Sequence, residues 1–581
     1  MLLLALACSD YNLNRDEDVD PGVCDPPEVY TVEVDDDCTS SGGVGSFDPV
    51  VEWQWTGWEG LPTYTHVVST PVVGDLTDDD GDGVLGDGDT PDIVFTAFQE
   101  KEQTKEGVLV AISGDGSGTH WMASVDVYGN GGVALGDLDG DGWPEICASS
   151  MTHSIVCTDR FGNELFRAGD RPAYNGHPAI ADFNGDGRAE IAYGAELFTN
   201  TGVRLWAGDG GIGGRSATHA SVPVDLDGDG IMELVAGNTV YNFVNGTVRW
   251  DDGMADGYPA IGNFDDDKEP EIVRVIPGSL LLLDSDGTLI WESAIDREDR
   301  GGPPTVADFD GDGEPEIGVA GYATYTVVDT DGSVLWQNPT DDNSSSITGS
   351  SVFDFEGDGR AEVLYADEES LWVYDGATGE VLLQLEQHAS NTRLEYPVIA
   401  DVDGDGATEI ILASVNAWWD GWDGITIIGD AENSWAPARR IWNQHAYHIT
   451  NVDNFGGIPE EQVPNWQSWN NFRAAGTEYG PSVWRANLVP GEPAVCTAEC
   501  QDGLVTVWVP VENQGQVPAK NVIAKLGSET SELGRLEPGE VGVAAFAMHK
   551  DTWGNFTIDP DDTISECDEA NTVDLGPWPC L

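Results

Sequence analysis

The stretch GDLDGDGWPEI, residues 136–146, carries four carboxylates in eleven positions. Like charges that close repel one another unless a cation sits among them. The spacing supplies the geometry for one. Counting Asp137 as position 1, Asp139 and Asp141 fall at 3 and 5, and Glu145 at 9. Side chains at 1, 3 and 5 converge on one point, Gly142 permits the sharp turn around it, and Trp143 at 7 offers a backbone carbonyl. Calcium takes about six to eight such oxygens at roughly 2.3–2.6 Å. The opening matches an EF-hand loop, but an EF-hand carries its Glu at position 12, between helices. Here the Glu is at 9 and the flanks are short apolar runs, so the pattern predicts a calcium loop between strands.

The motif recurs as DFNGDGRAEI from Asp182, DLDGDGIMEL from Asp225, NFDDDKEPEI from Asn263, DFDGDGEPEI from Asp308, DFEGDGRAEV from Asp354 and DVDGDGATEI from Asp401. An expanded form, DLTDDDGDGVLGDGDTPDI, starts at Asp75. The eight copies begin 62, 45, 43, 38, 45, 46 and 47 residues apart. Around each loop an apolar strand enters (GYPAIGNF), a second leaves (PEIVRVI), a third runs to a turn (SLLLLDSDG) and a fourth carries an aromatic (TLIWES). Asp-Gly, Asn-Gly and Thr-Gly are tight-turn dipeptides. Four strands per repeat at a period near 45 predict the blades of an all-β propeller. Trp206, Trp250, Trp291 and Trp336, which recur in the fourth strands, are expected to wedge between blades.

Motif, period and strand layout together resemble the FG-GAP/VCBS repeat, the integrin α-type propeller blade with calcium in the loop between its first two strands. The resemblance spans roughly residues 50–450. It implies ligand sets Asp137, Asp139, Asp141 and Glu145; Asp182, Asn184, Asp186 and Glu190; Asp225, Asp227, Asp229 and Glu233; Asp308, Asp310, Asp312 and Glu316; Asp354, Glu356, Asp358 and Glu362; and Asp401, Asp403, Asp405 and Glu409. Two copies depart. Asn263, Asp265, Asp267 and Glu271 form a loop in which Asp266 and Lys268 replace glycines, so a weak or empty site is expected there. The Asp75 copy is expected to use Asp78, Asp80, Asp82 and Asp92 as well. Eight copies imply eight blades, with VVEWQWTGW (Val50–Trp58) as the fourth strand that completes the last one. Seven blades with one irregular unit is the alternative. The calcium is expected to be structural, since eight near-identical sites do not describe one active site. At ten times its dissociation constant each ion adds about 1.4 kcal/mol.

Among the 581 residues, 24 are basic and 105 acidic, a formal net charge of −81. Such a surface repels phosphate backbones, which excludes nucleic-acid binding by a basic face. Acidity can signal disorder, but 40% apolar residues with Trp 21, Tyr 15 and Phe 16 argue for a folded body. The first residues, MLLLALACSD, resemble the end of a bacterial lipoprotein signal with Cys8 as the lipidated position, although Ala5 stands where Leu is usual. An exported chain with a clipped signal is the alternative. Membrane contact is expected only through such an anchor. The eight other cysteines favour disulfides in an exported protein. Local pairs are expected at Cys24–Cys38 and Cys147–Cys157, and Cys496, Cys500, Cys567 and Cys580 leave three connectivities open.

Residues 418–484 hold WWDGWDG, NSWAPARRIWNQHAYHIT and NWQSWNNFR. Trp418, Trp419 and Trp422 read either as a sugar-stacking ligand face or as packing at ring closure. From about Pro490 strands alternate with turns over some 90 residues, a β-sandwich pattern. VENQGQVPAKNV and DPDDTISECDEANT resemble the CARDB domain, an Ig-like module of bacterial surface proteins. The expected organisation is a partial signal (1–8), an acidic tether (9–48), a propeller (49–455), an aromatic-rich connector (456–490) and an Ig-like domain (491–581). No GxSxG, HExxH or P-loop motif occurs, and no Rossmann βαβ unit is read in the sequence. The expectation is an exported cell-surface protein of the bacterial outer membrane type, not an enzyme, binding a glycan or a surface protein. The alternatives are a polysaccharide lyase or glycosidase on a propeller scaffold, or a purely architectural subunit.

Overall fold

The computed structural model describes residues 26–27, 30–32, 34 and 47–581, except 173–174, 216–217, 266, 296–300, 346, 419, 432, 477–485, 497–502, 516–517, 551–552, 561–563, 565, 567–571 and 579–581. The chain divides into two units, one of Ser40–Trp484 and one combining Met1–Thr39 with Arg485–Leu581. Helix is confined among the described residues to two short turns, Ile449–Asn451 and Asn465–Ser468. No described helix is long and apolar enough to cross a membrane.

The described residues of the larger unit form eight antiparallel sheets, seven of four strands and one of five. A representative sheet runs Val133–Gly136, Glu145–Ser149, Ile155–Thr158 and Glu164–Ala168 in chain order. Its first three strands are buried throughout, while the fourth is largely exposed. The last sheet departs from chain order: Pro49–Trp55 pairs antiparallel with Gly424–Asp430, so the first strand of the unit completes the sheet of the last repeat. First strands of successive sheets touch one another. The set closes on itself through one apolar cluster, in which Val398, Ile411 and Ile425 of the last sheet meet Val72, Ile93 and Val110 of the first. The fold is β-propeller-like.

Five of the eight sheets are stapled to the next by a tryptophan of the outer strand. The indole N–H donates to a carbonyl in the following sheet's turn: Trp206 to Phe243 O at 2.6 Å, Trp250 to Ser285 O at 2.9 Å and Trp291 to Thr330 O at 2.9 Å. Trp336 does the same to Gly376 O, and so does Trp121, which the repeat endings alone do not reveal, to Arg160 O. The ring lies against a turn glycine: a Cβ on Gly246, whose φ is +64°, would come within 2.5 Å of the Trp206 ring. Glycine is required there both for the left-handed turn and for the close approach.

The innermost strand of each sheet is an edge, with N–H and C=O groups that need partners. Residues 439–476 supply many of them. Val73 and Trp442 exchange both backbone bonds (2.9 and 3.0 Å), as do Val306 and Phe472 (3.1 and 2.8 Å). Leu135 N donates to Asn443 O at 2.9 Å, and Ile180 N to Gln444 Oε1 at 2.7 Å. Val352 N donates to Arg473 O at 3.1 Å, and Asp401 N to Arg439 O at 3.2 Å. Trp442 is fully buried and stacks on Tyr447, ring centroids 4.5 Å apart. Arg473 is fully buried too, and donates to the carbonyls of Pro304 and His445. Burial of the guanidinium lowers its pKa to about 10. His445 packs against His177 with ring centroids 4.3 Å apart, and both rings are held well below the ordinary histidine range by burial. The tract that composition sets apart thus threads the inner edges of the sheets.

A disulfide joins Cys147 to Cys157, which face each other on adjacent strands. Cys8, Cys24 and Cys38 lie outside the described residues. The described residues of the smaller unit form two four-stranded antiparallel sheets, one built on Leu504–Asn513 paired with Val541–His549, the other on Ala519–Leu526 paired with Glu529–Leu536. Phe546 of the first sheet meets Phe556 of the second edge-on, centroids 6.0 Å apart. Cys496 of this unit is disulfide-bonded. Part of the 9–48 segment belongs here: Val32 N donates to Gly539 O at 3.0 Å, and Tyr30 OH to Glu512 Oε1 at 2.5 Å.

Candidate metal centre

All eight acidic loops occupy the same structural place, the connection from first to second strand. The residue before position 1 pairs with the residue at position 9: Gly136 with Glu145, Ala181 with Glu190, Val224 with Glu233, Gly262 with Glu271. Ala307 with Glu316, Phe353 with Glu362, Ala400 with Glu409 and Gly74 with Asp92 continue the series. The closing glutamate is therefore the first residue of a buried strand, and one of its oxygens accepts the N–H of position 2. That bond is 2.9 Å for Leu138–Glu145, 3.1 Å for Phe183–Glu190, 2.7 Å for Phe309–Glu316 and 2.8 Å for Val402–Glu409. Position 2 is apolar and buried in each copy, as in Leu138, Phe183, Phe309 and Phe355, so the loop is plugged into the core beside its own acid.

The first aspartate organises the turn. Asp137 Oδ1 accepts Gly140 N at 2.7 Å and Asp137 Oδ2 accepts Gly142 N at 2.8 Å, while Asp141 accepts Trp143 N at 3.0 Å. Gly142 sits at φ +87°, where L side chains are disfavoured. The pattern repeats at Asp182 with Gly185 and Gly187, at Asp225 with Gly228 and Gly230, at Asp308 with Gly311 and Gly313, and at Asp401 with Gly404 and Gly406. Asp354 takes the Asp358 and Gly359 N–H groups. Carboxylate oxygens of Asp137, Asp139 and Glu145 converge within 4.8 Å, as do those of Asp308, Asp310 and Glu316 and those of Asp265, Asp267 and Glu271. The Asn263 copy therefore keeps the convergence, although Asn263 Nδ2 donates to Asp267 O at 3.0 Å and Asp267 N to Asp265 Oδ1 at 2.8 Å.

Burial, and then the neighbouring aspartates, push Glu145 and Glu271 up to about 7 and Glu316 to about 8. Burial pushes Glu190 to about 7 and Glu362 and Glu409 well above the ordinary carboxylate range. Asp403 rises to about 7 for the same reason, beside Asp405 and Asp401. Bare carboxylates so placed are costly, and a divalent cation relieves that cost. The donors are all oxygen, hard and anionic, which suits calcium rather than zinc. The residues fit the ion.

The expanded copy is arranged differently from the expected set. Asp75 lies 3.2 Å from Arg440 Nη2, both side chains fully buried. Asp92 takes the Leu76 N–H at 2.8 Å and lies 2.6 Å from His120 Nε2. The inserted residues form a loop of their own, in which Asp78 accepts Gly81 N at 2.7 Å and Gly83 N at 3.1 Å, and Asp82 accepts Val84 N at 2.9 Å. Position 1 is thus Asp78, and Asp78, Asp80 and Asp89 converge within 4.8 Å. Asp89 was not among the expected ligands. Its signal is the spacing, since it falls at position 12 counted from Asp78, the EF-hand interval.

Of the aromatic candidates, Trp418 is half-buried against Phe98, centroids 6.4 Å apart, with Lys101 Nζ 5.5 Å from its ring. Trp422 is half-buried against a separate cluster that contains Phe355 and Trp435. Trp419 lies outside the described residues. An open cleft of about 780 Å³ lies between the Asp182 and Asp225 loops, bordered by Lys268, Glu460, Glu461 and Trp466.

Residues 354–412, which contain two of these loops, match the FG-GAP-like repeat. The chain carries an FG-GAP-like repeat. A search of curated proteins finds no match to it. Among solved structures, the Vibrio cholerae biofilm matrix protein Bap1 is similar at 21% identity and a TM-score of 0.67, over 74% of this chain and 99% of that one. The Bacillus licheniformis rhamnogalacturonan lyase PL11 aligns at 17% identity and a TM-score of 0.46, over 75% and 81%. The Dos1 propeller aligns at 10% identity and a TM-score of 0.38, over 66% and 94%. The first of these shares the fold.

Proposed function

We propose that this chain is an exported surface or matrix protein whose eight-bladed propeller is held together by calcium and binds a glycan or protein partner without catalysis. The observation that carries the reading is the repeated closing acid. In all eight sheets it is fixed at the head of the second strand, with one oxygen committed to the position-2 N–H. A closing acid reproduced that closely at eight places around one ring serves the ring. In the loops that keep the motif the acidic and amide side chains at 1, 3 and 5, the carbonyl at 7 and the acid at 9 would hold the ion, and Asp78, Asp80 and Asp89 would do so in the expanded copy. The ion supplies charge neutralisation and cross-linking of the turn.

The likeness to a biofilm matrix protein supports a place outside the cell, in or on a polymeric matrix. The smaller unit reads as an Ig-like, CARDB-type module, and Cys8 as the point of lipid attachment. The partner face we assign to the blade loops, with the cleft beside Trp466 and the region of Trp418 as its two candidate contacts. A glycan array run with calcium and with chelator tests this. Calcium-dependent retention that Trp466→Ala or Trp418→Ala weakens supports it. Silence on every glycan, together with no capture of matrix proteins, removes the binding reading, and cleavage of a bound polysaccharide replaces it with the enzymatic one.

A further inference from the structure

The loop from Asp225 to Glu233 has an arginine seated on its acids. Glu233 Oε2 accepts the Leu226 N–H at 3.2 Å, as the repeat demands, but Glu233 Oε1 lies 3.0 Å from Arg249 Nη1. The same nitrogen lies 2.8 Å from Asp227 Oδ2. One guanidinium nitrogen thus joins positions 3 and 9. At Asp137, Asp139 and Glu145 and at Asp308, Asp310 and Glu316 the acid at 9 belongs to the converging trio, whereas here the trio is Asp225, Asp227 and Asp229, without Glu233. Arg249 stands on Val248–Asp251, the outer strand of the same sheet, with its side chain three-quarters buried.

The repeat endings show that this arginine is particular to one blade. The residue preceding the wedge tryptophan is Leu205 before Trp206, Ile290 before Trp291, Leu335 before Trp336 and, in the expanded copy, His120 before Trp121, but Arg249 before Trp250. An apolar side chain at that place leaves the neighbouring loop to find its cation elsewhere. An arginine brings a permanent charge with donors in a fixed fork that matches carboxylate oxygens. A second cation within a few ångströms of it meets direct like-charge repulsion.

We propose that Arg249 is the resident cation of the Asp225–Glu233 loop. Its guanidinium takes the place between Asp227 and Glu233 that calcium occupies in sibling loops, so this loop closes without metal. The inference rests on the calcium reading of those siblings. It makes the residue before the wedge tryptophan a specificity determinant for metal in each blade, and the Val222–Asp251 blade the one least sensitive to chelation.

Equilibrium dialysis of the full chain against calcium, with bound metal counted per chain, tests it. Arg249→Leu, which installs the residue of the sibling repeats, is expected to bind one more calcium than the parent. An unchanged or lower count in a folded Arg249→Leu protein overturns the proposal. Asp227→Asn in the parent background provides a second, milder reading: the count is expected to stay unchanged, while Asp310→Asn lowers it by one. A loss of one calcium in Asp227→Asn overturns the proposal even if Arg249→Leu does not fold. A count of zero in every variant has a different signature, and overturns the calcium reading itself along with the inference built on it.

Discussion

The inner edges of the sheets and the loops that leave them face the same problem and solve it differently. The edges present unpaired backbone groups, and residues 439–476 of the same chain satisfy many of them. The loops present crowded carboxylates, and apart from Arg249, Arg440 and His120 the described protein offers them few cations. A covalently attached partner is always at hand, whereas an ion from solution is present only when its concentration allows. The axis of the propeller should therefore be indifferent to calcium and the loop face dependent on it.

The largest effect that sharpens this contrast is expected at the axis. Trp442→Ala removes a fully buried ring and should cost about 3–5 kcal/mol, equally in calcium and in chelator. Denaturant melts of the variant under both conditions check this, and a cost that vanishes in chelator would break the contrast. Next in size is a single loop. Glu316→Gln keeps an acceptor for the Phe309 N–H but removes the charge, and should cost about 1.4 kcal/mol in calcium and much less in chelator. Equal losses in both conditions would make the glutamate a purely structural acceptor.

A pH effect separates the regions further. Burial lowers the pKa of His388 to about 3, and its Nδ1 lies 3.1 Å from Ser414 Oγ. The folded protein keeps this ring neutral, while the unfolded chain takes up a proton below about 6.5. The stability it contributes is full above that pH and is lost as the pH falls toward 3. Glu395, pushed up to about 7 by burial, works in the opposite sense: its contribution is full below its ordinary value and is lost as the pH rises through about 7. His388→Asn should flatten the acid limb of the melting-temperature profile, and an unchanged slope would contradict the assignment. The smallest effect is expected at Lys105–Glu102, an exposed pair at 2.8 Å, where Lys105→Ala should change stability by no more than about 0.5 kcal/mol.

Much of the ring was legible because its determinants are local. Loop spacing, turn dipeptides and the outer-strand tryptophans all lie within one 45-residue repeat, and the strand at Pro49–Trp55 betrayed itself as a fourth strand without a blade. The role of residues 439–476 was not legible, since it consists of backbone bonds to strands as far away as Val73. Composition showed only that the tract was unusual. Asp89 was missed because the expanded loop restarts its count at Asp78, three residues after the position that aligns with its siblings. Arg249 was missed because a cation one residue before a wedge tryptophan carries no meaning until the outer strand is folded back over its own loop.

The measurement closest to the central claim is calorimetric melting of the full chain in millimolar calcium and in excess chelator. The account predicts a large fall in melting temperature on chelation, reversed by adding calcium back. A melting curve that does not move would contradict it.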